Sequence, residues 1–371
     1  MTNVRAAEVV LGSTDLAADL ELLTARLGFR LVMIFPADEP QEAVVEGHGA
    51  RLRLTTRVDV APGAVVRLTC EAPERLAGGA ASLISPGGIR VELHAAEATA
   101  PRPRAARQHV VTQLAGDAPW SVGRAGMHYR DLLPGRLGGA IIASHIRIPD
   151  GGPVPDLVHY HEIDFQLIFC CHGWVRLVYE DQGPPFVLRA GDCVIQPPRI
   201  RHRVLEASPN LQVVEVGLPA RHLTLADHDL ALPTPHYRPE RDFGGQRFCR
   251  SEAVGAAWGP ARLPGFEARE TGVAVASGGV ASVQVLRPAA SAGPPVVTRH
   301  DAEVVFAFVL AGAVTLRAEG HPARALAFGD AFATPPGLPT ALTDATAELE
   351  LLEVALPGAF VTQLHRQAAP P

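Results

Sequence analysis

Apolar and polar residues alternate along much of this chain, in short runs that Gly and Pro turns separate. Trp174–Tyr179 and Leu211–Gly217 are two such runs, with the two-residue period of a half-buried strand. Near the N-terminus the period changes to that of a helix, with apolar residues at Leu16, Leu20, Leu23 and Leu27. The pattern predicts a mainly β protein, because short strands with regular turns are typical of double-sheet jelly rolls.

The first hundred residues predict a smaller α+β unit. A strand over residues 4–11 precedes the helix, and Gly28 ends that helix. Further extended stretches are predicted at 31–35, 43–46, 51–55, 65–70 and 85–93. The last two begin and close a partial second copy of the unit, and residues 73–81 between them leave little room for a helix.

The last third of the chain repeats the middle third. VTRHDAEVVFAFVLAGAVTLRAEG at 297–320 aligns with LVHYHEIDFQLIFCCHGWVRLVYE at 157–180, which places Arg299 and His300 near His159 to His161. AFGDAFATPPGLPTAL at 327–342 aligns with RAGDCVIQPPRIRHRV at 189–204. This internal repeat predicts two tandem barrels of one fold, each able to cover edge strands of the other.

Three histidines and a glutamine in the middle third are candidates for a metal site. His159 and His161 are two residues apart, so on a strand they point to the same face. Gln166 has the opposite parity and joins that face only if the strand breaks at Glu162-Ile163-Asp164. His202 follows a Gly-Asp turn and a Pro-Pro pair. Neutral imidazoles of this kind suit zinc, copper, iron or nickel.

These motifs resemble the two conserved motifs of the cupin superfamily. The resemblance implies that His159, His161, Gln166 and His202 hold one divalent transition metal, such as Fe, Mn, Zn or Ni. Most cupins carry Glu where this chain has Gln166. In the second copy Thr340 stands where His202 does, and His300 with Glu303 is a remnant, so we expect no metal there.

The N-terminal unit resembles one module of the vicinal-oxygen-chelate, or glyoxalase, superfamily, through its strand–helix–three-strand order and the Leu27-Gly28-Phe29 junction. The positions that match that family's ligands are Glu8, a residue near 52–54, Val65 or Val66, and Glu92. Two acids and two apolar residues make a poor metal site. We expect a degenerate domain with a structural or pocket-covering role.

The predicted architecture is therefore mainly β, with two tandem cupin jelly-roll barrels preceded by a small α+β glyoxalase-like domain. The predicted domains are a degenerate glyoxalase-like domain at 1–96, a linker at 97–120, a metal-binding barrel at 121–220, an inter-domain crossing at 221–265 and a degenerate second barrel at 266–371.

Composition narrows the partners. A net charge of −6 argues against nucleic acid, and we find neither a membrane-spanning run nor a signal-peptide pattern, so we expect a cytoplasmic protein and no membrane partner. The five scattered cysteines indicate no disulfide framework. Lysine is absent, which excludes Schiff-base chemistry on a lysine. The predicted partner is a small-molecule substrate, and a homodimer is possible.

Neutral ligands leave a divalent ion its full charge, which favours chelation of a small anionic enol, keto or hydroxy acid. Three hypotheses stay open: non-redox isomerisation, cyclisation or elimination, which the glutamine favours; an Fe(II)-dependent dioxygenase; and a non-catalytic ligand-binding module. Glu162, Asp164 and His172 are near the site in sequence, and none can be assigned as the acid or base. Strand alternation predicts that Cys170 faces the barrel interior with Gln166.

Overall fold

A computed structural model of the chain describes residues 4–26, 28–47, 49–57, 65–70, 73–76, 82–84, 90–95, 102–116, 120–290 and 293–364. The described elements are mostly strands, which confirms the predicted mainly β class. No described helix is long and apolar enough to span a membrane. The chain divides into two compact units: unit 1 is Met1–Arg102 with His159–Glu162 and His222–Asp229, and unit 2 is Pro103–Val158, Ile163–Arg221 and Leu230–Pro371.

The N-terminal elements are β1 (Val4–Gly12), α1 (Leu16–Glu21) with a π-helical turn at Leu22–Arg26, β2 (Arg30–Phe35), β3 (Glu42–Gly47), β4 (Ala50–Thr55), β5 (Val65–Cys70), α2 (Pro73–Leu76), β6 (Ser82–Ile84) and β7 (Arg90–Ala95).

The middle of the chain forms β8 (Val110–Thr112), β9 (Ser121–Val122), a 3-10 turn (Arg124–Gly126), β10 (His128–Asp131), α3 (Arg136–Gly139), β11 (Ile142–Ile148), β12 (Gly152–Pro153), β13 (His159–Glu162), β14 (Phe165–His172), β15 (Trp174–Tyr179), β16 (Phe186–Arg189), β17 (Cys193–Ile195), β18 (His202–Ala207), β19 (Leu211–Leu218) and β20 (Leu223–Ala226).

The last third forms β21 (Cys249–Ser251), β22 (Gly259–Pro260), β23 (Phe266–Glu270), α4 (Val273–Ala276), β24 (Ser282–Pro288), β25 (Thr298–His300), β26 (Val304–Ala311), β27 (Ala313–Ala318), β28 (Arg324–Ala327), β29 (Ala331–Thr334), β30 (Thr340–Thr343), β31 (Glu350–Leu356) and β32 (Thr362–Leu364).

Unit 1 is built on a sheet with the order β2-β3-β4-β1-β5-β7-β6. β4 lies parallel to β1, and β7 lies parallel to β5. The helical stripe buries Leu16 against Ala43 and Leu54, as its spacing predicts. Leu27 and residues 85–89, which the family resemblance also used, lie outside the described residues. The far edge of the sheet continues through β20, which pairs with β2 and with β13.

Unit 2 confirms the internal repeat strand by strand. One sheet has the order β21-β17-β14-β19-β11-β10-β9, and its counterpart has the order β8-β29-β26-β31-β24-β23-β22. Side chains from both sheets share one apolar cluster, in which Phe165, Leu167, Phe306 and Phe308 are fully buried. The outward faces of the two barrels are therefore buried against each other, and this burial contributes most of the shared core.

The two barrels exchange edge strands: the segment that precedes one barrel in sequence supplies an edge strand to the sheet of the other. β8 precedes the first barrel but pairs with β29 of the second. β21 precedes the second barrel but pairs with β17 of the first. The segments predicted as a linker at 97–120 and a crossing at 221–265 therefore contain sheet strands, and each one closes an edge that would otherwise be exposed.

The two Gly-Asp turns hold these borrowed strands in equivalent ways. Asp192 accepts hydrogen bonds from the amides of Arg189 and Ala253, at 2.9 and 2.8 Å. Asp330 accepts from the amides of Ala327 and Leu114, at 2.9 and 2.8 Å. The Gly-Asp turn of each barrel thus binds the segment that precedes the other barrel in sequence.

Two buried arginines also make hydrogen bonds between the barrels. Arg269 of the second barrel donates to the carbonyl of Gly191 at 2.8 Å, and Arg130 of the first barrel donates to the carbonyl of Gly329. Both glycines have positive φ, and a Cβ would lie 2.8 Å from Ala253 at Gly191 and 2.8 Å from Leu114 at Gly329. Each Gly-Asp turn therefore has room for the borrowed segment only because it carries glycine.

Replacing Arg269 with Met should cost about 2 kcal/mol of unfolding free energy, since it leaves a buried carbonyl without its charged donor. The matched control is Arg247→Met, whose side chain is 57% exposed and pairs with an exposed Glu240, and it should cost only a few tenths of a kcal/mol. Denaturant unfolding of both variants measures the difference, and equal losses would contradict this role for Arg269.

His145 lies in the same interface and predicts a pH dependence. It is fully buried, its Nε2 lies 2.8 Å from Gln212 Oε1, and Arg130 and Arg147 are beside it. Burial first, and then the two guanidiniums, lower its pKa from 6.5 to about 4. The imidazole of His145 binds a proton more readily in the unfolded state than in the folded state. The free energy of unfolding is therefore unaffected by His145 above pH 6.5, and it falls as the pH drops from 6.5 towards 4.

The loss associated with His145 should approach about 3 kcal/mol at the acidic end of that range. His145→Gln cannot take up the proton, so its midpoint of guanidinium unfolding should change less between pH 7 and pH 5 than that of the wild type. Parallel pH profiles for the two proteins would show that His145 does not titrate on unfolding.

Candidate metal site in the first barrel

His159 and His161 lie on β13, where burial alternates residue by residue. His159 and His161 are buried, while Tyr160 and Glu162 between and after them are half-buried. The two imidazoles are perpendicular, with ring centroids 5.2 Å apart. The two-residue spacing thus places both rings on one face, as the sequence predicts.

His202 begins β18, opposite Tyr179 of β15, and is also buried. Each of His159, His161 and His202 offers one ring nitrogen, and these nitrogens all lie within 4.8 Å of one another. Nitrogens that share one ion at about 2.0–2.1 Å lie at most about 4.2 Å apart, so shifts of a few tenths of an ångström in the rings bring all three onto a single ion.

Hydrogen bonds fix which nitrogen of two imidazoles is available. Nδ1 of His202 donates to the carbonyl of Ile200 at 3.0 Å, so the lone pair lies on Nε2. Nδ1 of His161 is occupied by Thr224 Oγ1 at 3.0 Å. Burial lowers the pKa of His202 to about 4, which keeps the imidazole neutral at physiological pH. Neutral rings with an oriented Nε2 are the form that ligates metals.

Gln166 lies on β14, after the chain breaks at Ile163 and Asp164 as expected. Its Nε2 donates to Glu215 Oε1 at 2.8 Å. Since an ionised carboxylate only accepts hydrogen bonds, this contact fixes the orientation of the amide. The amide oxygen at the other end is buried and has no hydrogen-bond partner among the described residues. A buried acceptor of this kind is costly unless a donor or a cation satisfies it.

The donor set therefore fits a divalent transition metal. Three neutral nitrogens converge, and a buried amide oxygen lacks a partner. Imidazole nitrogen with a neutral oxygen suits zinc, iron, nickel or manganese better than calcium, which prefers an all-oxygen shell.

Sequence reasoning missed the residues that orient these ligands. Glu215 holds Gln166, Thr224 holds His161, and His222 packs edge-on against His161 with ring centroids 5.4 Å apart. Thr224 and His222 are on or beside β20, in a segment that the sequence described only as a crossing. The signal that could have identified Glu215 is its counterpart Glu353 in the repeat.

The three acid–base candidates have different environments. Asp164 and His172 are exposed, and His172 caps the far end of β14 on the carbonyl of Asn210. Glu162 is half-buried beside His161.

Cys170 faces the barrel interior as predicted, and burial, with the charge of Asp192, raises the pKa of its thiol to about 12. Such a thiol is a core residue rather than a nucleophile at neutral pH.

The strand registers give the counterparts of these positions in the second barrel. Thr298 and His300 occupy the places of His159 and His161, because they pair with β32 as the histidines pair with β20. Val305 occupies the place of Gln166, and Thr340 that of His202. Arg299, which the sequence alignment placed beside the histidines, lies on the opposite, exposed face.

In the N-terminal unit, Glu8 is already engaged by two arginines. Its carboxylate accepts from Arg51 and Arg53, each at 2.8 Å. Burial alone would raise the pKa of Glu8, but the hydrogen bonds and charges of Arg53 and Arg51 lower it below its usual value. Glu92 is half-buried, and the side chains of Val65 and Val66 lie outside the described part.

Neither a family model nor a curated protein matches this chain. Solved structures do. The protein Ylba from E. coli matches with a TM-score of 0.50 at 11% identity, over 70% of this chain and 96% of that protein. Salicylate 1,2-dioxygenase from Pseudaminobacter salicylatoxidans matches with a TM-score of 0.50 at 17% identity, over 72% and 91%. A mutant of that dioxygenase gives 0.51 at 14% identity, over 72% and 91%.

These likenesses define the fold. The chain has the cupin jelly-roll architecture in two tandem copies, as its sequence predicts. The resemblance of the N-terminal unit to glyoxalase modules stays a prediction.

His202→Ala should remove metal from the protein, because it deletes one of three converging nitrogens. His172→Ala is the matched control, since this histidine lies at an exposed strand end. Elemental mass spectrometry on protein purified without a chelating tag measures the metal content. We expect one equivalent per chain in the wild type and the control, and less than a tenth in His202→Ala. Equal content in all three proteins would place the metal elsewhere.

Proposed function

We propose that the first barrel is the active site of a metal-dependent enzyme, in which His159, His161, His202 and Gln166 hold one divalent transition metal. The observation that carries the proposal is the convergence of three buried imidazole nitrogens within 4.8 Å of one another. The partnerless amide oxygen of Gln166 supports it.

A shell of neutral donors determines the substrate class. When bound, the metal would supply Lewis-acid polarisation and a site for two substrate oxygens. Because no described ligand neutralises its charge, an anionic enol, keto acid or hydroxy acid is favoured over a neutral analogue. Glu215 takes part indirectly: it holds the amide of Gln166 so that the oxygen, and not the NH2 group, is free.

The apolar interior of the barrel would keep water from the bound substrate. Tyr179, Val175, Leu177 and Leu188 are almost fully buried there, and Gln196 donates to the Tyr179 hydroxyl at 2.8 Å. Burial raises the pKa of Tyr179, so its hydroxyl stays protonated, and its ring stacks on that of His202 with centroids 5.5 Å apart. A dry cavity strengthens each polar contact made inside it.

We favour a non-redox reaction, namely isomerisation, cyclisation or elimination, for which a bound metal would supply positive charge beside a developing enolate. A dioxygenase is the second candidate, since a site of three histidines can support oxygen chemistry and the fold resembles that of a salicylate 1,2-dioxygenase. A binding module without turnover is the third. The role of the N-terminal unit as a cover, a homodimeric state and a cytoplasmic location stay predictions.

Oxygen consumption separates these candidates. Protein loaded with Fe(II), Mn(II) or Zn(II) is mixed with salicylate, gentisate and a panel of keto and hydroxy acids, with an oxygen electrode and mass spectrometry as readouts. Turnover with zinc or manganese and no oxygen uptake is the expected result. Substrate-dependent oxygen uptake with iron alone would establish the dioxygenase, and tight binding without turnover would favour the binding module.

Moving the charge from Glu215 to the ligand position tests the neutral shell. The double variant Gln166→Glu, Glu215→Gln keeps a carboxylate–amide hydrogen bond but places the carboxylate on the metal. We expect the KM for an anionic substrate to rise at least about tenfold while metal is retained, because the ion loses one unit of net charge. The single variant Glu215→Gln is the control, and an unchanged KM in the double variant would contradict the electrostatic argument.

A further inference from the structure

The second barrel contains a cavity of about 270 Å³ that is partly open to solvent. Its wall combines apolar and polar side chains, among them Phe332, Arg262, His300, Thr334, Thr340 and Glu353. The space exists because Thr298, Val305 and Thr340 occupy the positions at which the first barrel carries two histidines and a glutamine. The smaller side chains at these three positions therefore leave room for a small molecule.

Three charged side chains line this cavity: Arg262 and Glu353 pair with each other, and Asp344 is exposed and accepts from the Thr343 hydroxyl at 2.8 Å. Arg262 donates to Glu353 through Nε at 2.9 Å and also through Nη2, and its Nη1 donates to Thr362 at 3.1 Å. Gln284 donates to the same carboxylate at 2.6 Å. All three nitrogens of the guanidinium are thus engaged, and a ligand anion would have to displace a buried carboxylate that is 3% exposed.

The remaining polar groups in the wall are His300 and several threonines, whose hydroxyls both donate and accept hydrogen bonds. Thr334 donates its hydroxyl to the carbonyl of Val305 at 3.4 Å, and its oxygen lies 3.0 Å from Nε2 of His300. Nδ1 of His300 is buried and makes no hydrogen bond of ordinary length among the described residues, while the backbone of Ala302 lies close enough to raise the pKa of the ring. Burial, and then Arg262, lower the pKa of this histidine, so it is neutral.

We propose that the second barrel is a binding site for a small neutral ring compound that carries hydroxyl groups. A ligand hydroxyl can bond to the buried Nδ1 of His300, and the ring covers the apolar wall at Phe332 and Val305. The volume suits a ligand of one small ring, since an apolar cavity of about 150 Å³ already holds benzene. This site is independent of the metal site and selects a neutral ligand instead of an anionic one.

Isothermal titration calorimetry on the metal-free full-length protein tests the proposal with three probes. Resorcinol represents an aromatic ring with hydroxyls, xylose an aliphatic ring, and 3-hydroxybenzoate replaces one hydroxyl of resorcinol with a carboxylate. We expect resorcinol or xylose to bind with millimolar affinity or better, and 3-hydroxybenzoate to bind roughly tenfold more weakly than resorcinol or not at all. The arm that binds tells an aromatic from a sugar-like ligand.

Two filling variants locate the binding. Val305→Phe and Thr340→Phe enter the cavity from different strands, and each should abolish binding of the neutral ring, with circular dichroism confirming the fold. Thr340→Val is the conservative control and should weaken binding only a few-fold. Binding of neither neutral ring, tighter binding of 3-hydroxybenzoate, or binding that survives both filling variants would each overturn the proposal. Metal content of the first barrel, measured in parallel, reports on the proposed enzyme separately.

Discussion

Two buried guanidiniums, each donating to a glycine carbonyl of the other barrel, are the contacts on which the double-barrel structure depends. Arg130 reaches Gly329, and Arg269 reaches Gly191. Both carbonyls belong to Gly-Asp turns whose carboxylates also hold the segment that leads into the opposite barrel. The two barrels are therefore not independent domains. Without the other barrel, each one would lack an edge strand and a hydrogen-bond partner for its Gly-Asp turn. This dependence gives a physical reason for keeping a second barrel that has lost its metal ligands.

A rigid barrel matters because the proposed chemistry depends on neutral side chains with fixed orientation. The carbonyl of Ile200 sets the tautomer of His202, and the carboxylate of Glu215 sets the amide of Gln166. Neither partner needs to touch the substrate. Their effect is to present lone pairs and no negative charge, so that a bound divalent ion would keep its charge for an anionic substrate. The second barrel pairs the equivalent glutamate with Arg262 instead, so that this buried carboxylate is neutralised by a guanidinium.

The sequence predicted the parts of the site that depend on local period. His159 and His161 share a face because side chains on a strand alternate with a period of two residues. Gln166 follows a break in the strand, which the polar residues before it predict. The internal repeat predicted two barrels because matching turns and strands recur in order. Contacts between distant segments could not be predicted, since they depend on register. The Gln166–Glu215 hydrogen bond spans 49 residues, and nothing local distinguishes Arg130 or Arg269 from a solvated arginine. The strand exchange could not be predicted either. β8 and β21 are strands of only three residues, and they lie within segments rich in Pro, Ala and Arg.

Anomalous X-ray diffraction from crystals of the protein loaded with manganese or zinc would test the central claim most directly. The account predicts one strong anomalous peak per chain, bonded to Nε2 of His202 and lying within coordination distance of His159, His161 and the amide oxygen of Gln166, with no peak in the second barrel. A peak in the second barrel, or well-ordered crystals with no peak between the three histidines, would contradict it.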